Sequence, residues 1–556
     1  MQALKNRFGW LLVAGFILLY LVPLGQRPLW EPDETRYGEI SREMVETGNW
    51  VAPQFLELRY FEKPIMGYWM NAVSLMTFGD NAFAVRFMSA MAAAGSAVLI
   101  FWLTLRVLQC RRTALLASGI FLSSFIVFMI GTYSTLDSML SFWVTAAFVC
   151  FYWLLEASNA RSRAIRYALF GIFCGAAFLT KGFVALAIPV VALVPFMIVQ
   201  GRLLELIKFG PIAVLAAGLV SLPWAIAVHL QQPDYWNYFF WEEHIRRFSA
   251  DDAQHKAPFW FYVPWLLLGA LPWTGAAIAA IKSKPWQINK DFAWYLLFWA
   301  LMPFLLFSYA KGKLPTYILP CFAPLAIMLA MGLNRYLDQI KEQTQSLLKW
   351  AGWINLVFSG LLLVALVLAM LGIIGKAPLY GLSEIPKMVL GLLVFGSWAA
   401  LSLALIKNST DKPLLKLGLM PVMFMLLVPF LAPQSVVDTK APGDFINNMK
   451  PYLNDDTRVI SQEVGLAGSL AWHLSRSDID LWGKTGELSY GVGQDDSQHR
   501  LIANEAIALE IAESLKDGDV AVFMRRRERP TLEEIPAPDQ EFRQGRYWLF
   551  LYQGSQ

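Results

Sequence analysis

The chain has 556 residues, of which 56% are hydrophobic and only 16% charged, with a formal net charge of +4. Soluble globular chains carry roughly 25% charged residues, so this one has too little polar surface to sit in water, and the same numbers exclude disordered, collagenous and disulfide-stapled classes. A polytopic membrane protein remains, and there the placement of charge matters more than its sum.

Crossing a bilayer takes about 20 apolar residues, with a range of roughly 17–25. In chain order such runs fall at Phe8–Leu24, Phe83–Leu105, Thr113–Gly131, Ser138–Leu155, Ile165–Thr180, Phe183–Val199 and Phe209–Leu230. They continue at Phe259–Ile281, Phe292–Tyr309, Leu314–Leu333, Trp350–Ile374, Lys387–Ile406 and Leu417–Leu431. This predicts a polytopic α-helical protein with about 13 transmembrane helices in residues 1–431. The first run follows Lys5 and Arg7 without a small-residue cleavage site, and reads as a retained helix. Every second loop is basic: Arg111 and Arg112; Arg161, Arg163 and Arg166; Arg202 and Lys208; Lys282, Lys284 and Lys290; Arg335, Lys341 and Lys349; Lys407, Lys412 and Lys416. A cytoplasmic N-terminus puts all of these loops inside, and the odd number of spans sends the C-terminus outside. The four cysteines (Cys110, Cys150, Cys174, Cys321) sit in or beside spans and decide nothing about compartment.

Three outer segments are long: residues 25–82, 231–258 and 432–556. The tail is large enough for a core of its own. Helices are predicted at Ala441–Leu453 and Ile502–Lys516, and strands at Val459–Gln462, Asp478–Trp482, Val520–Met524 and Trp548–Tyr552. The tail therefore reads as a small α/β domain outside the membrane, without a nucleotide fingerprint, in a structural or docking role.

The first outer loop holds Trp30-Glu-Pro-Asp-Glu-Thr-Arg-Tyr-Gly-Glu-Ile-Ser-Arg-Glu-Met44. It predicts a helix from Glu34 to about Glu46, with Tyr37, Ile40, Met44 and Thr47 on one stripe and Asp33 where a cap belongs. The plain reading is a capped amphipathic helix on the membrane surface. Other ionisable residues share this face: Glu62 and Lys63, Asp137, Lys181, a run containing His244, Arg246 and Arg247, and Lys311, Lys313 and Tyr317. Charges at membrane depth are expensive and usually functional, and their convergence on one face marks a site. Lys and Arg suit a phosphate. Carboxylates in the same place would repel one, so they serve to accept a proton, hold a metal or grip a cationic or hydroxylated sugar. A phosphate with a polyhydroxylated group, reached from the lipid, describes a lipid-phosphate-linked sugar donor. Plainer readings stand beside this one. Lys181 snorkels to the interface, His244 and His255 are ordinary loop residues, and Trp30, Trp50, Trp69 and Trp236 are interfacial anchors. Glu62 with His244 is the pair placed for a divalent metal, and no dense ligand spacing supports one.

The stretch Trp30 to Met44 with Phe61-Glu-Lys-Pro64, Glu243-His-Ile-Arg-Arg-Phe248, Asp252-Ala-Gln-His-Lys-Ala-Pro-Phe-Trp260 and Lys311-Gly-Lys-Leu-Pro-Thr-Tyr317 resembles the bacterial undecaprenyl-phosphate 4-amino-4-deoxy-L-arabinose lipid A transferases. The resemblance runs from the first span into the tail. It implies a GT-C glycosyltransferase fold in the bacterial inner membrane, with a periplasmic active site and a periplasmic C-terminal domain. It implies inverting transfer of aminoarabinose from undecaprenyl phosphate to a lipid A phosphate, which lowers surface negative charge and gives resistance to polymyxin and other cationic peptides. Asp33 matches the family's first-loop catalytic aspartate, with Glu34 beside it as a further expected catalytic acid and Arg36 and Tyr37 as expected substrate-binding residues. Lys63 matches a lysine associated with the donor phosphate, Glu62 a neighbouring carboxylate, and Asp137 a second functional acid. Lys63 with Arg246 or Arg247 would stabilise the leaving phosphate, and His244, Lys311, Lys313 and Tyr317 complete the expected substrate-binding set. For Asp33, positioning or proton acceptance, binding of the sugar's ammonium, and plain capping stay open. The expected partners are the polyprenyl-phosphate sugar, lipid A and membrane lipids. No redox or nucleotide cofactor and no nucleic acid are expected, and the chain is expected to be a monomer. The rival functions are a GT-C transferase with another sugar or acceptor, a flippase, which predicts midplane charges and inverted repeats, and a membrane scaffold.

Overall fold

The computed structural model describes residues 2–246, 255–339, 347–374, 378–409, 411–531 and 534–554, and only the backbone of residues 2–8 and 243–246. Among the described residues, nine helices are long and apolar enough to cross a membrane, from Ala82–Leu108 and Leu136–Leu155 through to Pro413–Phe430. A tenth is the pair Arg111–Ser123 and Phe125–Gly131, bent by 64°. Two expected spans, Gly9–Leu21 and Phe183–Val199, are shorter apolar helices. A third breaks into Phe259–Gly269 and Ala276–Lys282. The two breaks serve each other. The Phe125 amide, freed at the first bend, donates to the Leu271 carbonyl at the second, over 3.0 Å. Backbone groups inside a bilayer have no water to turn to, so paired breaks are tolerated where a lone one is not.

The first long loop folds into a helix, Asp33–Thr47, that ends at Gly48. Gly48 sits at a φ of 67°, the left-handed position that glycine fills without strain. A hairpin follows, β1 (Gln54–Phe55) paired with β2 (Leu58–Arg59), and then the helix Met66–Phe78. The hairpin turn donates the Leu56 and Glu57 amides, at 2.6 and 3.1 Å, to the buried Glu43 carboxylate. The expected stripe of Tyr37, Ile40 and Met44 is buried, but so is every other residue from Glu34 to Met44. The surface-helix expectation is therefore corrected: the helix is covered on all sides. Of the expected interfacial tryptophans, Trp69 gives its indole N–H to the Trp50 carbonyl (2.9 Å), and Trp236 packs edge-on against Trp224 and Tyr235.

The helix is covered on one side by Tyr68 and Val85 and on the other by the tail. The tail's six strands are β3 (Arg458–Ser461), β4 (Ile479–Trp482), β5 (Leu501–Ile502), β6 (Val520–Arg525), β7 (Gln540–Gln544) and β8 (Tyr547–Tyr552), in the order β5-β4-β3-β6-β8-β7. β5, β4, β3 and β6 run parallel, and β8 and β7 are antiparallel. Alternate side chains serve opposite faces, as the two-residue strand period requires. Ile460, Val520, Val522, Met524, Trp548 and Phe550 pack with Ile507 and Ile511 on one face. Val459, Leu481, Ala521, Phe523 and Leu549 join Leu466, Leu470, Phe55, Tyr60 and Phe61 on the other. The tail thus shares one apolar core with the first loop. The helix Val464–Leu474, not anticipated from the sequence, makes the contact. It lies so close that a Cβ on Gly38 would sit 3.1 Å from the Trp472 ring, and one on Gly468 would sit 2.8 Å from Phe55.

Candidate active site

Pro32, not Asp33, occupies the cap position of the first-loop helix, and Asp33 makes no cap hydrogen bond. Its carboxylate instead accepts from Arg36 Nη2, one turn on, at 2.6 Å. The capping role is therefore corrected. Asp33 is the most open acid of the loop helix's first turn, with 38% of its side chain exposed against 7% for Arg36.

Glu34 is the opposite case, with no exposed surface. Oε1 accepts from Arg86 Nε (2.7 Å), Arg27 Nη2 (3.0 Å) and the Ser134 amide (3.2 Å). Oε2 accepts from Arg86 Nη2 (2.8 Å), Arg27 Nη1 (2.6 Å) and the Trp30 amide (3.0 Å). Burial works against the charge, yet Arg86 and Arg27 prevail and hold the carboxyl at about 2. Six donors saturate both oxygens, so neither is left to face a ligand.

Around Asp33 and Arg36 the loop gathers further groups. Arg36 reaches across to Glu487 of the tail. Tyr60 donates to Glu62 Oε2 at 3.1 Å and lies 3.5 Å from Glu487 Oε2. Lys63 Nζ donates to the Glu62 carbonyl at 2.8 Å and stands 3.7 Å from its carboxylate. On the bundle side, Asp137 at the start of Leu136–Leu155 accepts from Lys181 at the end of Ala160–Lys181, at 2.5 Å. Lys181 also sits 4.8 Å over the Tyr317 ring. Tyr37 links the two groups. Burial raises its phenol far above the usual range; Arg36 opposes that, and Asp33, Asp137 and Glu62 are all near enough to push it further.

The structure therefore brings Asp33, Arg36, Tyr37, Glu62, Lys63, Asp137 and Tyr317 to one end of the bundle. Lys181 belongs with them as a half-buried ion-pair partner of Asp137, which corrects the snorkelling reading. Lys311 and Lys313 line a different cleft. Arg247 lies outside the described residues, as do the side chains of His244 and Arg246, so the Glu62–His244 pairing does too. Among the described residues, no three His, Cys, Asp or Glu side chains are grouped to hold a metal. Sequence reasoning missed Arg86, Tyr60 and Glu487. Arg86 carried a signal, an arginine inside an apolar run. Glu487 carried none, because its partner is 451 residues away.

Residues 7–239 match the family described as dolichyl-phosphate-mannose-protein mannosyltransferase, and residues 437–551 match the C-terminal domain of arabinosyl transferase ArnT. The fold is shared by a crystal structure of ArnT from Cupriavidus metallidurans bound to undecaprenyl phosphate, with a TM-score of 0.79 over 98% of each chain at 21% identity. The archaeal oligosaccharyltransferase AglB from Archaeoglobus fulgidus shares it more loosely, with a TM-score of 0.50 over 92% of this chain and 69% of that one, at 12% identity. An undecaprenyl phosphate-alpha-4-amino-4-deoxy-L-arabinose arabinosyl transferase of Aeromonas hydrophila is 47% identical over 98% of this chain and 99% of its own. One of the same name from Yersinia pestis is 44% identical over the whole of both chains. Similarity at this level spans the membrane helices, the first loop and the tail alike, and the chain belongs to the undecaprenyl phosphate-aminoarabinose arabinosyl transferase family.

Proposed function

We propose that the protein is an inverting glycosyltransferase that moves 4-amino-4-deoxy-L-arabinose from undecaprenyl phosphate to a phosphate of lipid A. The observation that carries this reading is the gathering of Asp33, Glu62, Asp137, Arg36, Lys63 and Lys181 at one end of a bundle of apolar helices. In the reaction, an oxygen of the acceptor phosphate attacks the anomeric carbon. The bond from that carbon to the undecaprenyl phosphate oxygen breaks on the opposite side, and undecaprenyl phosphate leaves with the electron pair. Lys63, with Arg246 or Arg247, offsets the charge that grows on the leaving group. The acceptor phosphate loses its second proton around pH 6, so no strong base is needed to activate it. Asp33 is better suited to position the acceptor or to bind the sugar's ammonium, as its open carboxylate beside Arg36 allows. Glu34 anchors the loop and touches no substrate.

The same reading sets the enzyme in the bacterial inner membrane as a monomer with about thirteen crossings. The N-terminus is cytoplasmic, and the site and residues 432–556 are periplasmic, following the basic inner loops. Added amines lower the charge of the outer surface and weaken binding of polymyxin. The test is mass spectrometry of lipid A from cells that lack their own transferase but still make the lipid-linked sugar. Wild type should add the mass of one aminopentose, and a folded Asp33→Ala variant should not. A well-expressed wild type that adds nothing would overturn the sugar assignment, and an active Asp33→Ala would overturn the role of Asp33.

A further inference from the structure

A cleft of about 310 Å³ is lined by Lys256, Ala257, Phe259, Ser308, Tyr309, Lys311 and Lys313. Two chain segments form it, held antiparallel by a bridge between Lys256 and Gly312 and by the Lys313 amide donating to the His255 carbonyl (3.0 Å). Its wall is basic. Lys313 is only 5% exposed, and its ammonium donates to the carbonyls of Ala257 (3.0 Å) and Ala310. An ammonium has three protons, so one remains. Among the described residues, neither Lys313 nor Lys256 has a carboxylate partner. Ser308, 1% exposed, lines the same cleft with a buried Oγ that has no hydrogen-bond partner among the described residues. An unsatisfied buried hydroxyl costs on the order of 1–3 kcal/mol and points to a ligand that completes it. The rim is aromatic: Phe259 and Tyr309 are 62% and 76% exposed. Aromatic side chains of that kind collect where a bilayer meets water.

We infer that this cleft docks the phosphate monoester of a membrane lipid, entered past Phe259 and Tyr309 and held by Lys256, Lys311, Lys313 and Ser308. Lysine ammoniums suit a dianionic phosphate as point charges, and the serine hydroxyl adds a donor. Resting on the transfer reaction proposed above, the phosphate is that of the acceptor. The chain that carries Lys313 continues within four residues to Tyr317, beneath Lys181, so one short stretch of chain joins this cleft to the acidic cluster.

The test uses full-length protein in nanodiscs, with a Lys256→Gln/Lys311→Gln variant altered at two exposed positions and a Ser308→Ala variant, each checked for an unchanged melting temperature. In transfer assays the lysine variant should raise the KM for lipid A about tenfold or more and leave the KM for the lipid-linked sugar within twofold. A rise confined to the sugar donor would keep the phosphate site but assign it to the polyprenyl phosphate, overturning the acceptor assignment. Native mass spectrometry gives a readout that does not depend on transfer. Wild type should retain phosphatidic acid, a phosphate monoester, over phosphatidylglycerol, a diester, and both variants should lose that preference. No preference in wild type, or the same preference in the variants, would overturn the site whatever the enzyme transfers.

Discussion

Glu31 in the first long loop and Arg525 at the end of β6 are 494 positions apart and meet at 2.7 Å. Tyr547 donates to the same carboxylate oxygen at 3.0 Å, and the Glu31 amide donates to the Lys440 carbonyl at 2.8 Å. Two residues on, Asp33 opens the helix that brings Asp33, Arg36 and Tyr37 to the acidic cluster. The tail therefore grips the chain next to the candidate site, and Arg36 to Glu487 repeats the grip from inside it.

Glu31 makes the grip sensitive to pH. Burial raises its carboxyl from 4.5 to about 7, although Arg525 and Tyr547 pull the other way. For an acid raised in the fold, the folded chain binds more protons than the unfolded one between those two values. Stability must then fall as pH rises through that window and level off above it. At about 1.4 kcal/mol per unit, the loss is about 3 kcal/mol. A Glu31→Gln variant keeps an acceptor for Arg525 and Tyr547 but cannot ionise. Melting temperatures in detergent at pH 5, 6, 7 and 8 should decline for wild type and stay flatter for the variant. Parallel curves would mean that Glu31 is already ionised at pH 5.

Arg86 should matter for folding more than for chemistry. It is fully buried, and it gives Nη1 to the Leu24 and Arg27 carbonyls (2.5 and 3.0 Å) besides its two bonds to Glu34. Arg86→Ala would leave an ionised carboxylate buried with one cation fewer, a change that typically costs 3–5 kcal/mol, here taken as about 4 kcal/mol. Yield and melting temperature should both drop. An Arg86→Met/Glu34→Leu pair, which removes both charges, should recover much of the loss. If Glu34→Gln folds normally yet abolishes transfer, the anchor assignment fails.

Asp137 and Lys181 should behave as a unit. Their contact is short and mostly buried, so removing either partner strands the other. Asp137→Asn and Lys181→Ala should each reduce transfer by about a hundredfold, and the double variant should be no worse than the poorer single one. Strict additivity would mean that the two residues contribute independently.

Local features of this arrangement were legible, and distant ones were not. The first-loop helix was expected from Glu34 to about Glu46 and runs Asp33–Thr47, because its stripe of Tyr37, Ile40 and Met44 has helical spacing. Nothing local announces that its polar residues Glu39 and Arg42 meet Ser477 of the tail. The four expected tail strands lie within about one residue of β3, β4, β6 and β8. Short β5 and polar β7 left too little pattern, and Val464–Leu474, rich in Gly and Ala, did not read as a docking helix. Hydropathy found the apolar runs but not the bend after Ser123, since a kink leaves composition unchanged. Lys181 pairs with a residue of another helix, so nothing in the sequence around it tells it from a lysine that snorkels to the interface.

The contact between Gly38 and Trp472 gives the most direct handle on the tail. A Cβ at Gly38 would lie 3.1 and 3.2 Å from two atoms of the Trp472 ring and 3.2 Å from Val85, so the position is squeezed between tail and bundle. Gly38→Ala asks the ring to yield by a few tenths of an ångström, and the gain in helix propensity, about 1 kcal/mol, offsets part of that strain. Gly38→Leu has no such room and must push Val464–Leu474 away from the first loop. Because the tail shares its apolar core with that loop, the displacement should loosen Arg36 from Glu487 as well. Limited proteolysis should then cut the Gly38→Leu variant in the tail much faster than wild type or Gly38→Ala, with transfer reduced in parallel. Proteolysis unchanged in a folded Gly38→Leu variant would mean that the tail is not held through this helix. Faster cutting with full transfer would show instead that docking of the tail is not needed to order the acidic cluster.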